Sequence, residues 1–401
     1  MGNTSHTSRA HHTSRMRVGY EFMTNSPLDD SARATLIAEC AEITTLESFD
    51  EILVGPGSER ALAIQGLDVR DRDMQIRERE WPHTVFLGCL LTVASDAHVS
   101  ASGATIFPPF TGLPFNPYRG HLYSPEELFA NDLDARIYEH QSRWRTNPPA
   151  PILEALAQRI HDHAIDDALQ SFLTAHDKVV AIMGGHGLAR DAATYRTVAV
   201  VARELTRSGH LVVTGGGPGA MEAGNLGAWL SPQPDDALEH AIETLSDALD
   251  YSTTEYVAAG RAVVSTFPGG ATSLAVPTWF YGHEPTNDFA TDVAKYFSNS
   301  TREDGLLAIA THGVVYTPGS AGTVQEVFMD ATQNHYSTFG LISPMVFLDS
   351  EFWADDRLAA PLLLTQLAGD RPYAEMIAVL DTPEDVAAFI HAHPPISTRA
   401  T

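Results

Sequence analysis

The sequence predicts an α/β protein: a doubly wound parallel sheet with helices on both faces, preceded by a smaller, mixed or mainly helical N-terminal domain. Three observations predict it. From Pro151 onward, short continuous apolar runs such as KVVAIMGG and HLVVTGGG alternate with amphipathic stretches such as AATYRTVAVVARELTRSG. A strand buried on both faces has no polar side, so this rhythm marks a parallel sheet covered by helices. Three of the apolar runs end in small-residue, glycine-bearing turns, and ligands of such sheets sit beyond the carboxyl ends of the strands. Finally, 401 residues exceed what one core usually holds, so two domains are expected. Together these describe a Rossmann-like domain with an addition before it.

Taken in order, the first segment, residues 1–26, reads as a flexible leader. It is rich in Ser, Thr, His and Arg and has no apolar core of a secretory signal. Its histidines His6, His11 and His12 read as solvated rather than metal-binding. Residues 27–150 form the accessory domain. ARATLIAECAEI is expected to be helical, as is SPEELFANDLDARIYEHQ, where Ser124 is the N-cap and Glu127 completes a capping box. The Gly-, Pro- and aromatic-rich stretch SASGATIFPPFTGLPFNPYRGH between them reads as irregular, and RTNPPAP as a boundary. The Rossmann-like domain spans 151–395. It opens on the helix ILEALAQRIHDHAIDDALQSFL. The strand KVVAIMGG, the helix AATYRTVAVVARELTRSG, the strand HLVVTGGG and the helix PGAMEAGNLGAWL follow, the last expected to start near Pro218. The apolar runs RAVVSTFP and LAIATHGVVYTPG come next, then the helix TVQEVFMDATQNHY, the strand PMVFLD, the helix EFWADDRLAAPLLLTQLA, the strand MIAVLD and the helix TPEDVAAFIHAH.

Composition narrows the function. The formal charge is −26, from 25 Lys and Arg against 51 Asp and Glu. Such a surface argues against a nucleic-acid polymer as partner but not against one small anion in a local pocket. The two cysteines, Cys40 and Cys89, form no CxxC pair, so no metal centre and no disulfide framework is expected, and a reducing cytoplasm fits. The apolar run TVFLGCLLTVA, Thr84 to Ala94, is too short to span a bilayer, so no membrane partner is expected.

The three turns carry the chemistry. GGHGLAR, with Gly184 and Gly185, lacks the third glycine of a dinucleotide fingerprint, because Arg190 stands there. The second strand is followed by glycines rather than by an acidic residue for a ribose hydroxyl, which also disfavours NAD. In TGGGPGAMEAGN, Gly215, Gly216 and Gly217 remove every side chain where the strand ends, so a ligand can approach the backbone. In TPGSAGTVQE, the small residues Gly319, Ser320, Ala321 and Gly322, with Thr323, open a helix whose unpaired N–H groups and dipole suit a phosphate. On that helix Val324, Val327, Phe328 and Ala331 share one face and are expected in the core. Thr323, Glu326, Asp330 and Gln333 share the other. Glu326 and Asp330 are like charges at i,i+4, mildly repulsive unless a cation or a ligand lies nearby.

These residues resemble the LOG (Lonely Guy) family of nucleoside-monophosphate phosphoribohydrolases, whose GGGxxGxM and PGGxGTxxE motifs read here as GGGPGAMEAGN and PGSAGTVQE. The match is closer to the larger bacterial branch, the pyrimidine/purine nucleotide 5′-monophosphate nucleosidases, which have an added N-terminal domain and a segment similar to GHEPTN, Gly282 to Asn287. Molybdenum-cofactor carrier proteins share the PGGxGT turn. The resemblance implies hydrolysis of the N-glycosidic bond of a nucleoside 5′-monophosphate, giving free base and ribose 5-phosphate, with no cofactor and no metal, in a homodimer or larger homo-oligomer. It implies a phosphate on Gly319, Ser320, Ala321, Gly322 and Thr323, and Glu326 as the catalytic carboxylate. Nucleotide contacts would come from Gly184, Gly185, Gly215, Gly216, Gly217, Met221, Glu222 and Asn287. The family pairs its carboxylate with an arginine ahead of the PGG strand. Counting back without gaps from Pro318 reaches Glu303, and a one-residue shift gives the role to Arg302. Ser320 replaces the middle glycine and keeps its N–H, provided the backbone there does not need a positive φ. A non-catalytic nucleotide or molybdenum-cofactor-type carrier is the alternative, and an effector-sensing role for the N-terminal domain a third.

Overall fold

The computed structural model describes residues 40–55, 61–144, 150–281, 285–354 and 359–398. The leader, most of ARATLIAECAEI, most of RTNPPAP and Gly282 to Glu284 lie outside these residues. Among the described residues, no helix is long and apolar enough to cross a membrane.

A parallel seven-stranded sheet dominates, in the order β12-β11-β9-β5-β6-β7-β8. Its strands are β5 (Val179–Met183), β6 (Leu211–Thr214), β7 (Leu274–Ala275), β8 (Asp292–Val293), β9 (Val314–Tyr316), β11 (Met345–Leu348) and β12 (Ile377–Leu380). Alternate residues feed two different cores. Val179, Ala181 and Met183 of β5 join one, with Val314, Tyr316, Met345 and Phe347. Val180 and Ile182 join the other, with Val315, Val346 and Leu348. Both faces of the central strands are therefore dry, which is why they read as unbroken apolar runs. The fold is the expected doubly wound α/β sheet.

The N-terminal residues have a second parallel sheet, β1 (Ala41–Ile43), β2 (Leu62–Gln65), β3 (Thr84–Leu87) and β4 (Thr105–Phe107), in sequential order. Phe49, Ile64, Trp81, Phe86 and Val99 build its separate core. The mixed character expected there thus takes the form of a small α/β layer. Of ARATLIAECAEI, the described end at Ala41–Ile43 is strand, not helix. Phe115, Leu122, Tyr123, Leu128 and Ile137 instead pack into the core of the large sheet. Ser124 caps its helix as expected by accepting from the Glu127 N–H. The Glu127 carboxylate, however, binds Arg119, and the helix breaks at Asn131 and Asp132, both at positive φ. A two-stranded antiparallel pair, β10 (Leu341–Ile342) and β13 (Ile396–Ser397), completes the chain.

Two apolar runs differ from their expected strand character. Arg261 to Thr266 lies inside the helix Thr254–Thr266, capped by Thr253, and Leu307 to Ile309 ends the helix Asn299–Ile309, capped by Ser298. Each run is short, and length and composition cannot separate a buried strand from one turn of a buried helix.

Candidate active site

The strand order reverses between β5 and β9: the chain runs β5 to β8 toward one edge and β9 to β12 toward the other. The crevice at such a switch point is the default ligand site. Two of the three expected turns meet there. The Gly185 N–H donates to the Pro318 carbonyl at 3.0 Å, and the Thr317 N–H to the Met183 carbonyl at 2.8 Å. Beyond them the helix Ala321–Tyr336 begins, with Ser320 at its cap and no side chain bonded to its first N–H groups. Those of Ala321, Gly322 and Thr323 have no intrahelical acceptor, so they face the crevice as donors. Ser320 adopts a negative φ of −123°, so its replacement of glycine does not force an L-residue into the left-handed region. Gly319 is different, because a Cβ on it would strike the Thr323 hydroxyl and come within 3.1 Å of the Gly185 nitrogen.

The third turn closes the crevice from β6. The Thr214 hydroxyl accepts from the Gly216 N–H at 3.0 Å and donates to Asn225 Oδ1 at 2.6 Å. Asn287 donates to the same Asn225 oxygen at 3.0 Å and to the Gly216 carbonyl at 3.2 Å. A buried amide network thus fixes the glycine turn while its outer edge stays bare. Together the three turns line a cleft of about 410 Å³, with Met221, Arg302 and Glu326 in its wall.

Arg302 reaches Glu326. It stands in the first turn of the helix Asn299–Ile309, where its Nε donates to the Val276 carbonyl at 2.9 Å. That bond aims Nη1 at Glu326 Oε1, 3.5 Å away, and leaves the pair only 11% and 14% exposed. Nη2 lies 3.0 Å from where a Cβ on Gly215 would stand, so glycine there makes room for the guanidinium. Burial pushes the Glu326 carboxyl up to about 7, against the pull of Arg302 and with the push of Glu303. A carboxyl poised near neutrality one turn from an anion-accepting helix start can exchange a proton with a bound molecule.

No family model matches this sequence, and no curated protein matches it. Solved structures are similar to part of it. One is the molybdenum cofactor binding protein from the phototrophic bacterium Rippkaea orientalis, 12% identical with a TM-score of 0.34. Another is the molybdenum cofactor carrier protein MCP from Chlamydomonas reinhardtii, 16% identical with a TM-score of 0.34. A further structure of the carrier protein from Chlamydomonas reinhardtii is 15% identical, with the same TM-score. In each case the likeness covers 54% of this chain and 96% of the other. At this size it carries no argument about chemistry, which has to come from the cleft itself.

Gly184, Gly185, Gly215, Gly216, Gly217, Met221, Arg302, Ser320, Ala321, Gly322, Thr323 and Glu326 all line the cleft, with Gly319 shaping its turn. Two expected contacts are not brought to it. Glu222 is 1% exposed, and its carboxylate accepts from Arg190 at 2.9 and 2.6 Å and from the Tyr195 and Tyr256 hydroxyls at 2.9 and 2.8 Å. Its acceptor capacity is spent inside the fold. Asn287 is 5% exposed and holds the Gly216 turn from behind. The helix faces also differ from expectation. Asp330 and Thr323 are buried, while Phe328 is 37% exposed. Asp330 accepts from the Tyr316 hydroxyl at 2.8 Å, and burial pushes its carboxyl up to about 7. The cation near this pair of carboxyls is Arg302, which lies beside Glu326. Sequence reading missed His186, Pro277, Thr278, Tyr281 and Gln325 in the cleft wall. Tyr281 and Gln325 act through Glu303, which accepts from the Tyr281 hydroxyl at 3.3 Å and from Gln325 Nε2 at 2.7 Å. Nothing local in the sequence marks those partners.

Proposed function

We propose that the protein hydrolyses the N-glycosidic bond of nucleoside 5′-monophosphates. The observation that carries this reading is the Arg302–Glu326 pair beside the open N–H groups of the Ala321–Tyr336 helix. The 5′-phosphate sits on the N–H groups of Gly319 to Thr323, where the helix dipole favours negative charge. This indexes the ribose one helical turn along, against Glu326. Glu326 in its ionised form takes a proton from water as the oxygen bonds to C1′. The C1′–N bond breaks, its electron pair leaves with the base, and the base takes up a proton. The products are free base and ribose 5-phosphate. Carboxylate charge beside C1′ also stabilises the oxocarbenium character of the transition state. Arg302 keeps enough Glu326 ionised for this role and adds positive charge for the phosphate.

Incubation of the full chain with purine and pyrimidine monophosphates, followed by assay of free base and ribose 5-phosphate, tests the reading. Release of both in equal amounts supports it, and intact recovery of every nucleotide overturns it. One observation favours a second reading, a nucleotide or molybdenum-cofactor-type carrier. Glu303, 3.9 Å from Arg302, competes with Glu326 for the guanidinium. The carrier reading expects stoichiometric retention of the ligand without release of base.

A further inference from the structure

Away from the cleft, Glu42 of β1 meets His163 and Asp167 of the helix Ile152–Leu173. One imidazole nitrogen and two carboxylate oxygens lie there within 4.8 Å of one another. Strand alternation sends Ile43 into the small core and Glu42 off the opposite face. His163 and Asp167, four residues apart, share one face of their helix. None of the three lines the cleft. Their spacing is that of ligands around a common centre. His163 Nε2 is 3.3 Å from Glu42 Oε1 and 3.5 Å from Asp167 Oδ2. A direct charged N–H···O bond is shorter, about 2.7–2.9 Å. Two ligand atoms held about 2.0–2.2 Å from a tetrahedral zinc stand about 3.3–3.6 Å apart. Glu42 is also oriented from behind, as a ligating carboxylate is. Gln65, 5% exposed, donates from Nε2 to Glu42 Oε2 at 2.5 Å, which leaves Oε1 to face His163. Charge points the same way. A protonated His163 offsets one of the two carboxylate charges, and among the described residues no Lys or Arg pairs with either. Arg119 lines the same small cavity as Asp167, but it is bound to Glu127 at 3.0 Å. That cavity, of about 40 Å³, gives room for water beside Asp167.

We propose that Glu42, His163 and Asp167 bind one divalent transition-metal cation of the zinc class, with water completing its shell. The ion takes ligands from both elements, so it ties the small sheet to the helix Ile152–Leu173. An imidazole beside two carboxylates suits such an ion better than magnesium or calcium, which take oxygen ligands. Side chains 38%, 56% and 43% exposed give it a path from solvent. No local pattern marks the site, because 121 residues separate Glu42 from His163. It is independent of the nucleotide reading of the cleft.

The test titrates zinc chloride into the chelator-stripped full chain by calorimetry, above neutral pH so that the ligands are deprotonated, and in excess magnesium to mask the acidic surface. One zinc equivalent is expected, with a rise in thermal midpoint, since the ion binds only the folded chain. His163→Ala and Glu42→Gln should each weaken that equivalent by about tenfold or more and cancel the rise, and Gln65→Met, which removes only the orienting bond, should weaken it by about tenfold. A full chain with His6, His11 and His12 changed to Ala should keep the equivalent, which separates this site from the histidines of the leader. No zinc uptake overturns the inference. So does uptake that His163→Ala and Glu42→Gln leave unchanged, or that the leader variant loses.

Discussion

Replacing Arg302 with methionine removes its charge and keeps most of its bulk, and it should move the acidic limb of the pH–rate profile upward. At 3.5 Å, two unit charges interact by about 5 kcal/mol at an effective dielectric of 20 and by about 1 kcal/mol in bulk water. Exposures of 11% and 14% place the pair between these limits. At about 1.4 kcal/mol per pK unit, losing Arg302 raises the Glu326 carboxyl by about one to three units above its present value of about 7. The ionised carboxylate is the working form, so activity rises with pH through the Glu326 pKa. At pH 7 the variant should therefore lose about fivefold or more in kcat/KM, and part of that loss should return as pH rises. Arg302→Lys keeps the charge and should leave the limb near pH 7. The assay is kcat/KM for base release between pH 5 and 10. A methionine variant whose acidic limb coincides with that of the wild type would refute the coupling, whatever its absolute rate.

Gly319→Ala brings a methyl group into the Thr323 hydroxyl and close to the Gly185 nitrogen, so KM for a nucleotide should rise about tenfold or more, with Ser320→Gly near wild type as the control. Glu222→Gln leaves Arg190 buried without its counter-charge and should cost about 3–5 kcal/mol in denaturant unfolding, whereas an unchanged midpoint with weakened nucleotide binding would return Glu222 to a ligand role. Asp330 has a folded pKa raised above its unfolded value, so its stabilising contribution is complete below about pH 4 and is lost as pH rises through about 7. Asp330→Asn should accordingly lessen the fall in thermal midpoint between pH 5 and pH 8.5, and an identical fall in both proteins would contradict the assignment.

What was legible in the sequence follows from the range of the interactions involved. β5, β6, β9 and β11 could be read because each is buried on both faces and so is apolar throughout, and the edge strand β12 because it too is wholly apolar. β7 and β8, of two residues each, leave no pattern. The turns at Gly215 and Gly319 could be read because close backbone approach demands small residues in sequence. Arg302 could be narrowed to two positions, but only the helix Asn299–Ile309 and its Ser298 cap settle that it, and not Glu303, points at Glu326. Glu222 and Asn287 have side chains a ligand could use. Their partners Arg190 and Asn225 lie 32 and 62 residues away in the chain, beyond any local signal. Phe328 was placed inward by helical periodicity, yet the polar Asp330 took a buried position because Tyr316 of β9 supplies a donor for it.

The central claim is that a helix start holds the phosphate while Glu326 does the chemistry. Glu326→Gln separates the two most directly, with nucleotide affinity and the rate of base release measured on the same preparation. The account predicts a Kd within a few-fold of wild type and a kcat lower by about 10²–10⁴-fold. Turnover retained at the wild-type rate would remove Glu326 from the mechanism and contradict the account.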